Sequence, residues 1–200
     1  MSPSTHFIAS WLVASATTDN ARDRKLVTLA GVLPDLDGLG MVVDVGGGWI
    51  TGNYEAFNYY HRYHHYLTHG WPGALVICGI LTLFARRKLR TALLCLLTFH
   101  LHLLCDLIGS RGPGPEDFWP ILYSRPLFRN PVWIWHGQWP LYGWQNGVIF
   151  AVLFLLALWV SARKGVSFLE FFGRRVDSTF VKMLQKCLPA GRKPAVVREQ

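Results

Sequence analysis

The sequence predicts an all-α, polytopic membrane helical bundle, and three observations carry that prediction. Apolar runs approach the length needed to cross a bilayer, short basic blocks lie between them, and aromatic residues gather just outside them. Hydrophobic residues make up 51% of the 200 positions and charged residues only 16%, a more apolar balance than soluble domains carry. The 9 Trp, 7 Tyr and 12 Phe fit the same reading, because indole and phenol rings favour the headgroup layer.

The elements follow in chain order. His6 to Thr17 and Leu26 to Leu33 are short apolar stretches joined by a polar turn from Asp19 to Lys25, where Asp19 or Asn20 can cap a helix. They predict a helical hairpin packed among longer helices. Gly38 to Tyr60 is rich in glycine and aromatics and predicts a loop. Ala74 to Ala85 is short enough for a buried helix unless Tyr66 to Gly73 extends it outward, and it pairs through the basic turn Arg86-Arg87-Lys88-Leu89-Arg90 with the longer run Thr91 to Ile108. That longer run carries His100, His102 and Asp106, which hydrocarbon does not tolerate, so these side chains must face protein, water or metal. Gly109 to Gly143 predicts a second long loop. Trp144 to Ala162, closed by Arg163-Lys164, is the clearest spanning helix. Beyond it, Phe168 to Leu188 spaces apolar and basic residues as an amphipathic helix suited to the inner leaflet, with anionic lipids as its expected partner. Residues 1–163 thus read as a membrane-embedded domain and 164–200 as a basic cytoplasmic tail.

The net charge is +8, yet the basic residues fall in blocks beside apolar runs rather than as a nucleic-acid footprint, so no nucleic-acid partner is expected. The same bias places the turns at 22–25 and 86–90 and the C-terminus in the cytoplasm, with the two long loops on the other side. Cys78, Cys95 and Cys105 lie in apolar runs and Cys187 in the tail, which predicts packing roles and no disulfide framework. The first apolar stretch has no basic residues before it, so no cleavable signal peptide is expected. The oligomeric state is not legible.

Counting along each helix from its basic turn brings the polar residues to a common level. At about 1.5 Å per residue, Arg22 back to His6 is about 24 Å, Arg86 back to His69 about 25 Å and Arg90 forward to Asp106 about 24 Å. Arg24 forward to Asp35 is about 16 Å, a difference that tilt and the break at Pro34 can absorb. Imidazole nitrogens and carboxylate oxygens are ligands for zinc, manganese or iron, and a buried aspartate is cheaper beside a divalent cation than alone. His102 and Asp106 are four apart on one helix face and can share an ion. Pro34-Asp35-Leu36-Asp37 sets two carboxylates where proline disrupts a helix. The run from His61 to His69 holds four histidines; helical spacing pairs His65 with His69 or His61 with His65, and a non-helical approach presents His64 with His69. His100 sits two residues from His102, faces elsewhere, and reads as a packing histidine.

The order of these pieces resembles a known family. Ser4-Thr5-His6-Phe7, Leu33-Pro34-Asp35-Leu36-Asp37, His64-His65-Tyr66-Leu67-Thr68-His69-Gly70 and His102-Leu103-Leu104-Cys105-Asp106, followed by Trp119-Pro120, are similar to the YdjM-like inner-membrane proteins described as metal-dependent hydrolases. The resemblance covers about residues 4 to 120. The chain departs from the family's pattern at His65 and Tyr66, where Arg and Gly are usual, and at Gly70, where Ser is usual. The resemblance implies a multi-pass protein of the bacterial inner (cytoplasmic) membrane with its metal site near the periplasmic face. A more distant similarity to zinc-dependent phospholipases C implies a cluster of two or more zinc ions. Asp106 would bridge them, while His6, Asp35, His69 and His102 complete their shells.

Metal ligands are therefore expected at His6, Asp35, His64, His69, His102 and Asp106. Asp37, His65 and His136 are the candidate catalytic groups, and Arg111, Arg125 and Arg129 are candidates for holding a substrate phosphate. The expected function is hydrolysis of a phosphoester or ester of a lipid or lipid-linked substrate by a metal-activated water, phospholipase C-like or lipid phosphatase-like. The alternative is a non-catalytic membrane protein that binds metal or serves as an adaptor.

Overall fold

A computed structural model describes residues 1–52, 58–64 and 66–187. Among these residues every regular element is helical, and only two isolated bridges interrupt the irregular segment at 110–143. The chain divides into two compact units, Met1–Phe150 and Ala151–Gln200.

In the first unit α1 (Pro3–Thr17) starts with proline after Ser2, whose hydroxyl accepts from the Thr5 amide. α2 (Ala21–Ala30) is capped by Asn20, one of the two expected caps, which accepts from the amides of Arg22 and Asp23. A 3-10 turn over Leu33–Leu39 follows, and α3 (Gly40–Thr51) continues from it. α4 (Asn58–Tyr63), α5 (Trp71–Leu83) and α6 (Lys88–Gly109) complete the helices that surround the polar cluster. The segment 38–60, expected to be a loop, is therefore helical over most of its described residues. Glycine density misleads there because the glycines cost helix stability without forbidding the conformation.

α1, α2, α5 and α6 pack on one another around Trp11, Ala14, Val27, Ala30, Ala74, Ile77, Cys78, Cys95, Phe99 and Leu103. Small residues bring the backbones close. A Cβ added at Gly31 would meet the Ser10 side chain and lie 3.2 Å from the Thr98 carbonyl oxygen. Polar ties fix the depth of the helices: the Thr98 hydroxyl donates to the Val27 carbonyl at 2.8 Å, and the buried Asp23 carboxylate accepts the amides of Arg86 and Arg87 at 2.8 and 3.1 Å. The two basic turns are thereby bound together, a role for Asp23 that the sequence does not signal.

The irregular segment after α6 is held by side-chain amides. Gln138 bonds both the amide and the carbonyl of Trp119, and Asn146 donates to the carbonyls of Gly109 and Leu141. The Trp71 amide donates to the Tyr123 carbonyl at 2.8 Å, which sews this segment to the start of α5.

α7 spans Trp144–Lys164. In the second unit a 3-10 turn at Phe168–Phe172 leads to α8 (Arg174–Cys187). α8 is amphipathic as expected: Val181 and Leu184 are buried, while Arg174, Arg175, Lys182 and Lys186 are exposed. Among the described residues α6 and α7 are long and apolar enough to cross a bilayer, and α2 with the segment Leu33–Thr51 makes a third span if the pair, bent by 49°, counts as one.

Candidate metal centre

Four segments deliver donors to one place. α6 turns His102 and Asp106 onto the same face, with His102 Nε2 3.0 Å from Asp106 Oδ2. α1 brings His6, whose ring stacks on His102 with centroids 3.8 Å apart and whose Nε2 lies 3.1 Å from Asp106 Oδ1. The proline turn after α2 brings Asp35 and Asp37, and the segment before α5 brings His69. Donor atoms of Asp35, His69, His102 and Asp106 all lie within 4.8 Å of one another, and Asp37, His64 and His69 form a second such group.

The proton positions on the rings decide what the first group can hold. A carbonyl oxygen only accepts, so the 3.0 Å contact between His102 Nδ1 and the Gly31 carbonyl requires the hydrogen on Nδ1. His69 Nδ1 likewise donates to Asp37 Oδ2 at 3.1 Å. In the neutral rings both Nε2 atoms then present lone pairs, and they face each other at 3.2 Å. Asp35 Oδ1 stands 3.6 Å from His102 Nε2 and 3.8 Å from His69 Nε2. Four electron-rich atoms converge on one point, an arrangement that a proton or a cation makes stable. Two imidazoles and two carboxylates are a donor set that suits a divalent transition ion. The donors fit such an ion.

Asp37 is fully committed. Its Oδ1 accepts from His64 Nδ1 at 3.0 Å, and its Oδ2 accepts from His69 Nδ1 and from the amides of Leu67 and Thr68 at 3.3 and 3.2 Å. His69 cannot serve both groups as a neutral ligand, because one ring nitrogen carries the hydrogen that Asp37 receives. Tyr60 stacks on His64 at 4.5 Å and the Trp119 ring meets His64 edge-on at 5.3 Å, so aromatic rings wall this side.

The exposed side lies at Asp35. Its side chain is 20% exposed, against 3% or less for His69, His102 and Asp106, and its Oδ2 has no hydrogen-bond partner among the described residues.

A family model described as YdjM inner membrane protein matches residues 1–168. The chain belongs to the YdjM inner membrane protein family. No curated protein and no solved structure matches it. The YdjM match takes in every donor of both groups and stops before α8.

Of the expected ligands, the structure brings His6, Asp35, His69, His102 and Asp106 together, with His64 one carboxylate away. His65 lies outside the described residues. His136 is exposed and meets Phe118 edge-on, sharing no hydrogen bond with the cluster among the described residues. Arg111 donates to the Gly114 carbonyl at 3.0 Å, Arg125 reaches the Tyr66 hydroxyl at 3.3 Å and lies over its ring, and Arg129 is exposed. Among the described residues no hydrogen bond or ion pair joins these arginines to the cluster. His100 is a packing residue: its Nδ1 donates to the Leu96 carbonyl and its Nε2 accepts from the Tyr123 hydroxyl.

Several contributors carry weak sequence signals. Ser110, the residue just past the end of α6 and four on from Asp106, donates to Asp106 Oδ1 at 2.9 Å, a spacing that helix geometry makes legible. The Gly31 carbonyl and the amides of Leu67 and Thr68 are main-chain groups, invisible in side-chain identities. The amino group of Met1 also contacts Asp106 Oδ1 and lies 2.7 Å from the Ser110 hydroxyl.

Proposed function

We propose that this YdjM-family protein is a membrane-bound, zinc-dependent hydrolase of a phosphoester or ester in a lipid or lipid-linked substrate. On this reading it sits in a bacterial inner membrane, with its basic turns and tail in the cytoplasm and its centre on the opposite side of the bundle. The observation that carries the proposal is the facing pair of Nε2 lone pairs on His69 and His102, closed in by Asp35 and Asp106.

Asp35, His69, His102 and Asp106 would hold one zinc ion. Asp106 turns Oδ2 towards that group, while its Oδ1 meets His6 and Ser110; a second ion would draw on His6 and Asp106. A divalent ion held there lowers the pKa of a bound water and polarises a phosphoryl or ester oxygen. The chain's own residues do the rest. Asp37 and the Gly31 carbonyl hold the Nδ1 hydrogens of His69 and His102, which fixes both tautomers and aims both Nε2 atoms inward. Asp35 Oδ2, buried beside the cluster with no hydrogen-bond partner among the described residues, would be the oxygen left to take the proton of an attacking water. The partial exposure of the Asp35 side chain as a whole favours a centre with an open position over a closed structural staple. Arg125, Arg111 and Arg129 would meet a headgroup phosphate only as it approaches over the 110–143 segment.

Elemental analysis of detergent-purified protein tests the centre, with Asp106→Ala and His69→Ala beside the wild type, alongside a phospholipid-hydrolysis screen. Stoichiometric zinc lost in both variants, with turnover lost in parallel, is the expected result. Zinc unchanged by both substitutions ends the proposal, and retained zinc with no turnover on any lipid leaves a metal-binding or adaptor protein.

A further inference from the structure

We propose that α2, the proline turn and α3 form one discontinuous membrane segment, with α3 embedded among acyl chains and Asp35 and Asp37 at the break, inside the apolar layer. The inference stands on the helix and not on hydrolysis.

α3 turns apolar side chains outward over about half of its circumference, with Asp44, Gly47, Gly48 and Thr51 on the other face. Met41, Val42, Val43, Trp49 and Ile50 are exposed, Trp49 by 77% and Ile50 by 87%, and only Gly48 is buried. An exposed apolar face this broad belongs against other protein or in a membrane. A second copy of the chain would cover part of that arc. Bilayer hydrocarbon is the occupant that meets all of it.

The one charged residue of α3 does not argue for water. Asp44 accepts the amides of Tyr59 and Tyr60 at 3.1 and 2.8 Å and so caps α4. Gly46 and Gly47 have open space where side chains would be, and each costs about 1 kcal/mol of helix stability in water. In hydrocarbon the balance changes, because every main-chain group there must be bonded within the protein and the helix does this. Gly52, at a φ of +71°, ends the helix in the left-handed conformation.

The break meets the same requirement. Pro34 interrupts the ladder of bonds, and the Thr68 hydroxyl donates to the Pro34 carbonyl. Irregular backbone at membrane depth is tolerated where neighbouring protein satisfies it in this way. α2 and Leu33–Thr51 together have the length and apolarity of a span, bent by 49°. Leu36 and Leu39, on the turn that carries both carboxylates, are exposed, so the turn presents apolar side chains outward beside the centre. An amphiphile moving within the bilayer would reach Asp35 past them.

Spin labels report the surroundings directly. Val42→Cys, Val43→Cys and Ile50→Cys are labelled one at a time in a Cys105→Ser, Cys187→Ser background and reconstituted in phospholipid vesicles, with exposed Glu116→Cys as the aqueous control. Collision with oxygen, which concentrates in hydrocarbon, is compared with collision with a water-soluble nickel chelate. The expected result is oxygen-dominated relaxation at all three α3 positions and nickel-dominated relaxation at 116. Nickel access at the α3 positions overturns the proposal in favour of an aqueous helix. Low collision with both reagents, accompanied by dipolar broadening between labels, overturns it in favour of a second copy.

Discussion

With the proposed zinc ion in place, Asp37 should control its affinity without being a ligand, and substituting it separates those roles. Four hydrogen bonds end on its carboxylate, two from imidazoles and two from amides. Partners that orient a ligand in this way are worth about 10- to 100-fold in metal affinity, or roughly 1.4–2.7 kcal/mol. Asp37→Asn keeps one acceptor oxygen and the side-chain shape, so the His69 ring stays aimed and the loss should be about tenfold. Asp37→Ala removes every acceptor, frees both rings to rotate and strands two amides at about 1–3 kcal/mol each, so its loss should reach about 100-fold with lowered thermal stability. Competition titration against a chromophoric chelator gives the affinity, and circular dichroism confirms that each variant retains its helices. Zinc stoichiometry should survive in both variants and vanish in Asp106→Ala. Loss of stoichiometric zinc in Asp37→Asn would make Asp37 a ligand, and wild-type affinity in Asp37→Ala would refute the orienting role.

Three further outcomes follow from the packing. Gly31→Ala should cost about 1–3 kcal/mol by overpacking against Ser10, read as a lowered melting temperature in detergent, and Ser10→Gly in the same chain should recover part of it. Asp23→Ala should lower stability by about 2–4 kcal/mol, because it strands the amides of Arg86 and Arg87, while zinc stoichiometry stays at the wild-type value. His100→Ala should likewise leave zinc unchanged, since both ring nitrogens are spent on Leu96 and Tyr123; a fall in bound metal would show that α6 presents more than one face to the centre.

The level at which the donors meet was legible because it depends only on helix rise and on where the basic turns lie. His6, His69 and Asp106 stand at nearly equal distances from those turns, and the structure gathers them. The shorter path to Asp35 is absorbed at the proline turn. The orienting groups were not legible, because the Gly31 carbonyl and the amides of Leu67 and Thr68 are main-chain atoms whose partners tertiary packing decides. α3 was hidden for a different reason: its glycines read as a loop under propensities measured in water, and in the membrane setting proposed for it those propensities would not govern. Asp23 was read as part of a polar turn, and only the docking of the second basic turn explains its burial.

The arrangement also explains why this much charge can sit in an apolar bundle. Three of the four donors are held by a segment other than their own: His102 by the end of α2, His69 by the proline turn, and Asp106 by His6 of α1 as well as by Ser110. A carboxylate buried alone would cost several kcal/mol, and neither Asp37 nor Asp106 is alone. Those cross-links let the chain break a helix at Pro34 without leaving the break unsatisfied, and the break in turn carries Asp35 to the side of the cluster that remains open. The discontinuity and the metal centre are therefore one feature. The carboxylates make the break tolerable only while the imidazoles face them, and the imidazoles face them only because the break puts Asp37 behind His69.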